Sequence, residues 1–120
     1  RTARTCYDHL AGRLGVALAD SLTGAGHVAL SHDGGEVTDQ GLHFLRDFGA
    51  EPAPGKPIFC RPCLDWSERR PHIAGRLGAA LATRCMELGW IERQRDSRAV
   101  TVTPSGTDGF ARTFAIDLTG

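Results

Sequence analysis

Two stretches of this chain are nearly the same. His9 to Ala19 reads HLAGRLGVALA and His72 to Ala82 reads HIAGRLGAALA, nine identities in eleven at a constant offset of 63. Looser agreement follows: Gly26 falls on Gly89 and, after two extra residues in the second copy, Thr38 falls on Thr103 and Gly41 on Gly106. One structural unit has therefore been used twice. With 120 residues in all, the two copies have to share one core or form two very small ones, and the length is enough to bury a core without disulfides.

Each copy is expected to open on an amphipathic helix. Leu10, Leu14, Leu18 and Leu22 recur every four residues, as do Ile73, Leu77, Leu81 and Cys85. Thr5 followed by Asp8 reads as a capping-box variant, while Ser67 is the expected N-cap of the second helix, with Pro71 near its first turn. Gly24 or Gly26, and Gly89, supply the stops, because glycine accepts the left-handed conformation of a helix end. A hairpin comes next in both copies: Val28 to Leu30 and Glu36 to Thr38 flank Asp33-Gly34, and Trp90 to Arg93 and Ala99 to Thr103 flank Asp96-Ser97. A second helix closes each copy. Thr38 or Asp39 starts one with Leu42, Leu45 and Phe48 on one face, and Thr103-Pro104 starts the other, with Phe110 and Phe114 as its apolar stripe.

The expectation is an α+β fold of two pseudo-repeated helix, β-hairpin, helix units, resembling degenerate winged helices, packed in one domain. Residues 1–50 form the first unit, 51–62 a proline-rich linker around Glu51-Pro52-Ala53-Pro54-Gly55-Lys56-Pro57, and 63–120 the second unit. The glycines inside AGRLG cost about 1 kcal/mol each relative to alanine within a helix, which points to a packing role such as close approach across a pseudo-twofold axis.

Composition narrows the function. Fourteen basic residues balance fourteen acidic ones, unlike a module that coats nucleic acid. No stretch approaches the roughly 18 apolar residues of a membrane span, so a soluble, cytoplasmic protein with no membrane partner is expected. An enzyme is not expected, since there is no glycine-rich phosphate loop after a strand, no serine elbow and no pair of carboxylates spaced to share a face. The first residue is Arg1 and the only methionine is Met86, so the chain is expected to be a piece of a longer protein.

Four cysteines in a chain of this kind suggest free thiols or a metal before a disulfide framework. Cys60 and Cys63, with two residues between them in a loop, would chelate one zinc or another thiophilic metal, and Cys6 with His9, at the same spacing on a helix, would complete a tetrahedron. His72 is an alternate fourth ligand. The plainer reading leaves His9 and His72 as packed residues in the first turn of equivalent helices. A redox dithiol at Cys60 and Cys63 lacks the strand-helix context that lowers a thiol pKa. Cys85, on the apolar stripe at the position of Leu22, belongs to the core. Arg93, Arg95 and Arg98 give the second hairpin the one local concentration of positive charge suited to phosphate, although Glu92 and Asp96 nearly cancel it.

The run MELGWIERQRDSRAVTVTPSG reads like the recognition helix and wing of a winged helix. With CYDHLAGRLGVALAD at 6–20 and CLDWSERRPHIAGRLGAAL at 63–81, the chain resembles the C-terminal half of bacterial regulators of the ArsR family of winged helix-turn-helix repressors. The resemblance spans about Arg4 to Leu118. It implies a homodimeric transcription regulator whose N-terminal domain, absent here, reads operator DNA, with this half as its dimerisation or effector-sensing domain. Family members release DNA when an effector, often a metal ion, binds. Their known ligands lie in the N-terminal domain, so none is carried over to this chain. The alternatives are a zinc-binding or thiol-based sensor module, and a purely structural dimerisation module that binds no effector.

Overall fold

The computed structural model describes residues 4–6, 9–31, 34–50, 59–65, 70–95 and 97–118. It is an α+β fold in which each unit runs hairpin, helix, hairpin, helix. The first unit holds β1 (Arg4–Cys6), β2 (His9–Ala11), α1 (Gly12–Gly24), β3 (Val28–Ser31), β4 (Gly34–Val37) and α2 (Asp39–Phe48). The second holds β5 (Phe59–Asp65), β6 (Arg70–Ala74), α3 (Gly75–Glu87), β7 (Ile91–Arg93), β8 (Val100–Val102) and α4 (Pro104–Phe114).

The second hairpin and second helix of each unit stand where periodicity put them. The first helices begin later than expected. His9–Ala11 pairs with Arg4–Cys6, and Arg70–Ala74 pairs with Arg61–Asp65, so the segments ahead of the two glycines are extended. Thr5 therefore lies opposite Leu10 in a ladder and does not cap a helix, and Pro71 sits in β6 opposite Leu64. Ser67 lies outside the described residues. Gly12 has φ +74°, a conformation that glycine adopts without steric cost, and it turns the chain from β2 into α1. The leucine periodicity is real but applies from Leu14 onward: Leu14, Leu18 and Leu22 in α1, and Leu77, Leu81 and Cys85 in α3, are all buried.

The repeat is reproduced atom by atom at the start of α2 and α4. The Thr38 hydroxyl accepts from the Gly41 amide at 3.1 Å and donates to the Gly26 carbonyl at 2.6 Å. The Thr103 hydroxyl accepts from the Gly106 amide at 2.9 Å and donates to the Gly89 carbonyl at 2.7 Å. Each threonine thus caps its helix and ties it to the end of the preceding one, an N-cap worth about 1 kcal/mol. At those ends Gly26 and Gly89 have φ of +75° and +71°, and the amides of His27 and Trp90 reach back to Leu22 and Cys85 at 2.9 and 3.0 Å. These are Schellman-type closures. A Cβ on Gly41 would stand 2.8 Å from the His27 carbonyl carbon, and one on Gly106 would stand 2.7 Å from that of Trp90.

The two units interlock. The Arg84 Nε of α3 donates to the Phe48 carbonyl at the end of α2 (2.8 Å), and the Ser21 hydroxyl of α1 donates to the Phe114 carbonyl at the end of α4 (2.6 Å). Ser21 and Arg84 are equivalent in the repeat, so each first helix caps the second helix of the other unit. An aromatic cluster joins the halves: Phe48 meets Phe114 edge-on at 5.2 Å and Trp90 at 5.4 Å, while Trp90 meets Phe110 at 5.0 Å. Around it lies one core in which Leu14, Leu45, Leu77, Cys85 and Phe110 are fully buried. Further out, α1 rests against β6 and α3 against β2, again exchanging partners between units. A four-stranded sheet ordered β3-β4-β5-β6 joins the first unit's wing to the second unit's leading hairpin. This cross-unit pairing has no signature in the periodicity of either strand.

Candidate functional site

Three places carry chemistry: the leading hairpins, the second wing, and a cleft between the units. The thiol and imidazole residues singled out above are Cys6, His9, Cys60, Cys63 and His72. Their side chains are not among those described, but their backbone register is. Cys6 lies directly opposite His9 across β1 and β2, and Cys63 lies directly opposite His72 across β5 and β6. Cys6 and His9 are therefore partners in a hairpin and not neighbours on a helix face. Cys60 and Cys63 belong to one continuous strand and not to a chelating loop. Three residues apart in a strand, they fall on opposite faces, and Cys60 is paired with Gly35 of β4.

This register uncovers a further part of the repeat that the 63-residue offset hides. Arg4-Thr5-Cys6-Tyr7-Asp8 matches Arg61-Pro62-Cys63-Leu64-Asp65 in its arginine, cysteine and aspartate at an offset of 57, and the six additional residues 66–71 restore the offset to 63 at His72. Arg4 lies opposite Ala11 and Arg61 opposite Ala74, so the ladders give the same alignment as the sequence. Both copies keep a cysteine across from a histidine. Cys60 has no such counterpart, since Ala3 occupies its place in the first copy.

Cys85 is fully buried in α3, and burial pushes its thiol up to about 12, with the neighbouring Arg84 opposing that shift. It is inert core, as its position on the apolar stripe implies. Among the described side chains, no group of three or more histidine, cysteine or acidic residues is placed to hold a metal ion. On the second wing Arg93, Arg95 and Arg98 are all exposed, as is Glu92. The Gln94 side chain crosses the hairpin to Thr101 at 3.0 Å and holds the wing's shape.

The cleft was not foreseen in the sequence. It has a volume of about 560 Å³, opens to solvent, and is lined by Ala17 and Ser21 of α1, His27, Phe44 of α2, and Phe114 and Ile116 from the end of α4. His27 stacks on Phe44 at 4.4 Å and 22°, which makes one wall a flat conjugated surface. Asp20 stands at the rim. The cleft exists because the repeat is unequal here. Arg84 and Trp90 occupy the positions of Ser21 and His27 in the other copy, and there the longer side chains reach Phe48 directly. A volume of this order lies within the usual range for small-molecule sites, roughly 300–1,000 Å³. Only a comparison of the two copies would have found it, through the small residue at 21 and the imidazole at 27.

No helix among the described residues is long and apolar enough to cross a membrane. No family model matches the chain and no solved structure matches it. Across 119 residues, 97% of its length, the chain is 44% identical to an uncharacterized HTH-type transcriptional regulator, YdfF, of Bacillus subtilis strain 168. The chain spans about half of that protein's length, 53%, so the likeness is to one part of a transcription regulator.

Proposed function

We propose that this chain is the effector-sensing, C-terminal half of a cytoplasmic bacterial transcription regulator of the ArsR kind, acting as a homodimer. Operator DNA is read by a winged helix-turn-helix domain outside the chain. The relative is named as a transcription regulator, and almost half of its length lies beyond the match, room enough for such a domain.

The observation that carries the sensing role is the cleft. Its walls come from α1 and α2 of one unit and the end of α4 of the other, so a ligand seated there touches both halves of the pseudo-dimer. A ligand that fits one arrangement of the units better than another shifts the population toward it, by no more than its difference in affinity for the two. Such a shift is what a tethered DNA-reading domain can sense. The flat His27–Phe44 wall, the Asp20 rim and the Ser21 hydroxyl suit a small, partly aromatic or cationic molecule. Arg93, Arg95 and Arg98 are proposed as auxiliary phosphate contacts of the second wing.

The test is operator binding by the full-length regulator, using DNA it selects from a randomised pool. Ala17→Trp fills the cleft in place of a ligand and should change operator affinity at least several-fold with the dimer intact by sedimentation. Unchanged affinity in a folded dimer would retire the sensing role and leave the structural dimerisation module.

A further inference from the structure

The junction that forms the cleft has a counterpart in the other copy of the repeat, and there a cation of the protein's own occupies it. The Arg84 side chain lies against the end of α2: its Nε donates to the Phe48 carbonyl at 2.8 Å, and a Cβ on Gly49 would stand 2.6 Å from Nε and 2.9 Å from Cζ. Glu87 balances the charge, with a carboxylate oxygen 3.7 Å from Arg84 Nη1. At the cleft the same junction is built without the cation. Ser21 replaces Arg84 and donates to the Phe114 carbonyl, and Ala115, at φ +56°, replaces Gly49 as the left-handed residue that closes the helix. An acidic group is kept in another place: Gly24 stands where Glu87 would be, and Asp20 lines the cleft.

Two helices also end at the cleft. The last residue of α1, Gly24, and the last of α4, Phe114, are both among its lining residues, so each helix brings the carbonyl-rich, negative end of its dipole to the edge. Neither lysine nor arginine is among the described lining residues. Phe44 and Phe114, edge to face at 5.4 Å, supply aromatic walls, whose π-electrons attract cations. We infer that the cleft takes a small organic cation, a guanidinium, amidinium or ammonium group carried on a flat or short apolar body. The charged group is held by the helix ends and Asp20, as Arg84 is held by the end of α2 and Glu87, and the body lies among Ala17, Phe44 and Ile116. An anion of the same size is repelled by both helix ends, and a neutral molecule of the same shape forgoes the attraction. The assignment rests on the reading of the cleft as a ligand site and adds to it the class of ligand.

The experiment titrates the 120-residue chain with three probes of one shape, the benzamidine cation, neutral benzamide and the benzoate anion, and follows the amide signals of Ser21, His27 and Ala115 by NMR. Benzamidine should bind at millimolar concentration or below, at least about tenfold tighter than benzamide, with benzoate weaker still. Ser21→Arg combined with Ala115→Gly rebuilds the pair of the other copy, supplies the cation internally, and should abolish benzamidine binding. The comparison of probes in the parent chain needs no variant, so the test survives a loss of fold in the double substitution. Benzamide or benzoate binding as tightly as benzamidine, no benzamidine binding at millimolar concentration, or a folded double variant that binds it unchanged would each overturn the assignment. The Ala17→Trp operator test uses no ligand, so the sensing role stands or falls separately from these results.

Discussion

Gly106→Ala probes the most crowded backbone crossing in the fold. The new Cβ would lie 2.7 Å from the carbonyl carbon of Trp90, whereas carbon atoms rest about 3.5–4.0 Å apart, so α4 would have to retreat by the better part of an ångström. Its N-terminus is not free to do so. It is held by the Thr103 cap, by the Thr103 hydroxyl on the Gly89 carbonyl, and by the Thr103 amide on the Trp90 carbonyl at 3.0 Å. Yielding there forfeits a cap of about 1 kcal/mol and one or two hydrogen bonds of about 1 kcal/mol each, comparable with the usual cost of overpacking, about 1–3 kcal/mol. Alanine's better helix propensity returns up to about 1 kcal/mol. The net expectation is a loss of about 2 kcal/mol in urea unfolding, seen as a lower midpoint at unchanged slope. Gly41→Ala should behave alike, because its Cβ would meet the His27 carbonyl carbon at 2.8 Å. Gly24→Ala is the control, with nothing within 4 Å of the added atom, and should be neutral or slightly stabilising. If Gly106→Ala matches or exceeds the parent in stability while Gly24→Ala behaves as stated, the threonine-glycine junction is not a close-packed crossing and the reasoning fails.

Three further outcomes follow from the described contacts. The Cys85 thiol, held up near 12 against a usual 9.0, keeps its proton in the folded chain when the unfolded chain has lost it, so stability should fall as pH rises from about 9 toward 12. The slope is at most about 1.4 kcal/mol per pH unit, and Cys85→Ala should remove it in urea titrations at pH 8 and pH 10.5. Arg84→Ala should cost about 1–2 kcal/mol by removing the charged donor from the Phe48 carbonyl, against about 1 kcal/mol for Ser21→Ala at the equivalent junction; equal, negligible losses in thermal unfolding would show that the crossed caps do not hold the units together. Replacing Arg93, Arg95 and Arg98 with alanine should flatten the salt dependence of operator binding by the full-length regulator, its log-log slope falling by about 2–3 if all three meet phosphate, and an unchanged slope removes the wing from the interface.

Much of the fold was legible in the sequence because it depends on local rules. The helix starts at Thr38 or Asp39 and at Thr103-Pro104 are read from residue type and position alone, and the structure makes Thr38 and Thr103 the caps. Asp33-Gly34 announces a hairpin where β3 and β4 do pair, although Gly34 itself already belongs to β4, opposite Ser31. The starts of α1 and α3 were misplaced for a physical reason. Leu10 and Ile73 fit a four-residue helical spacing, but they lie in β2 and β6, where cross-strand pairing and the Gly12 turn override the apolar period. The same error put Cys6 and His9 on a helix, while the proline-rich linker expected over 51–62 put Cys60 and Cys63 in a loop although β5 begins at Phe59. Pairing between strands distant in sequence leaves no local signal, so the β4–β5 ladder was invisible, and with it the fact that Cys60 and Cys63 face apart.

The repeat divides the chain's residues by what the two copies have in common. Where a position maintains the unit, the copies agree: threonine caps, glycine crossings and left-handed helix ends recur, and the threonine cap bonds are 3.1 Å and 2.9 Å in the two copies. Where the copies meet, agreement and disagreement carry different information. Cys6 with His9 and Cys63 with His72 are alike in type and register although the sequence between them differs in length, which chain connectivity alone would not maintain. Ser21 with His27 and Arg84 with Trp90 are unlike, and the smaller pair opens a cleft where the larger pair fills the equivalent space. A perfect pseudo-dimer would have two such clefts or none. The described cleft lies on the side where the pair is small, and under the proposed function a ligand there would meet the first unit's helices and the end of α4 and so load the two units unequally.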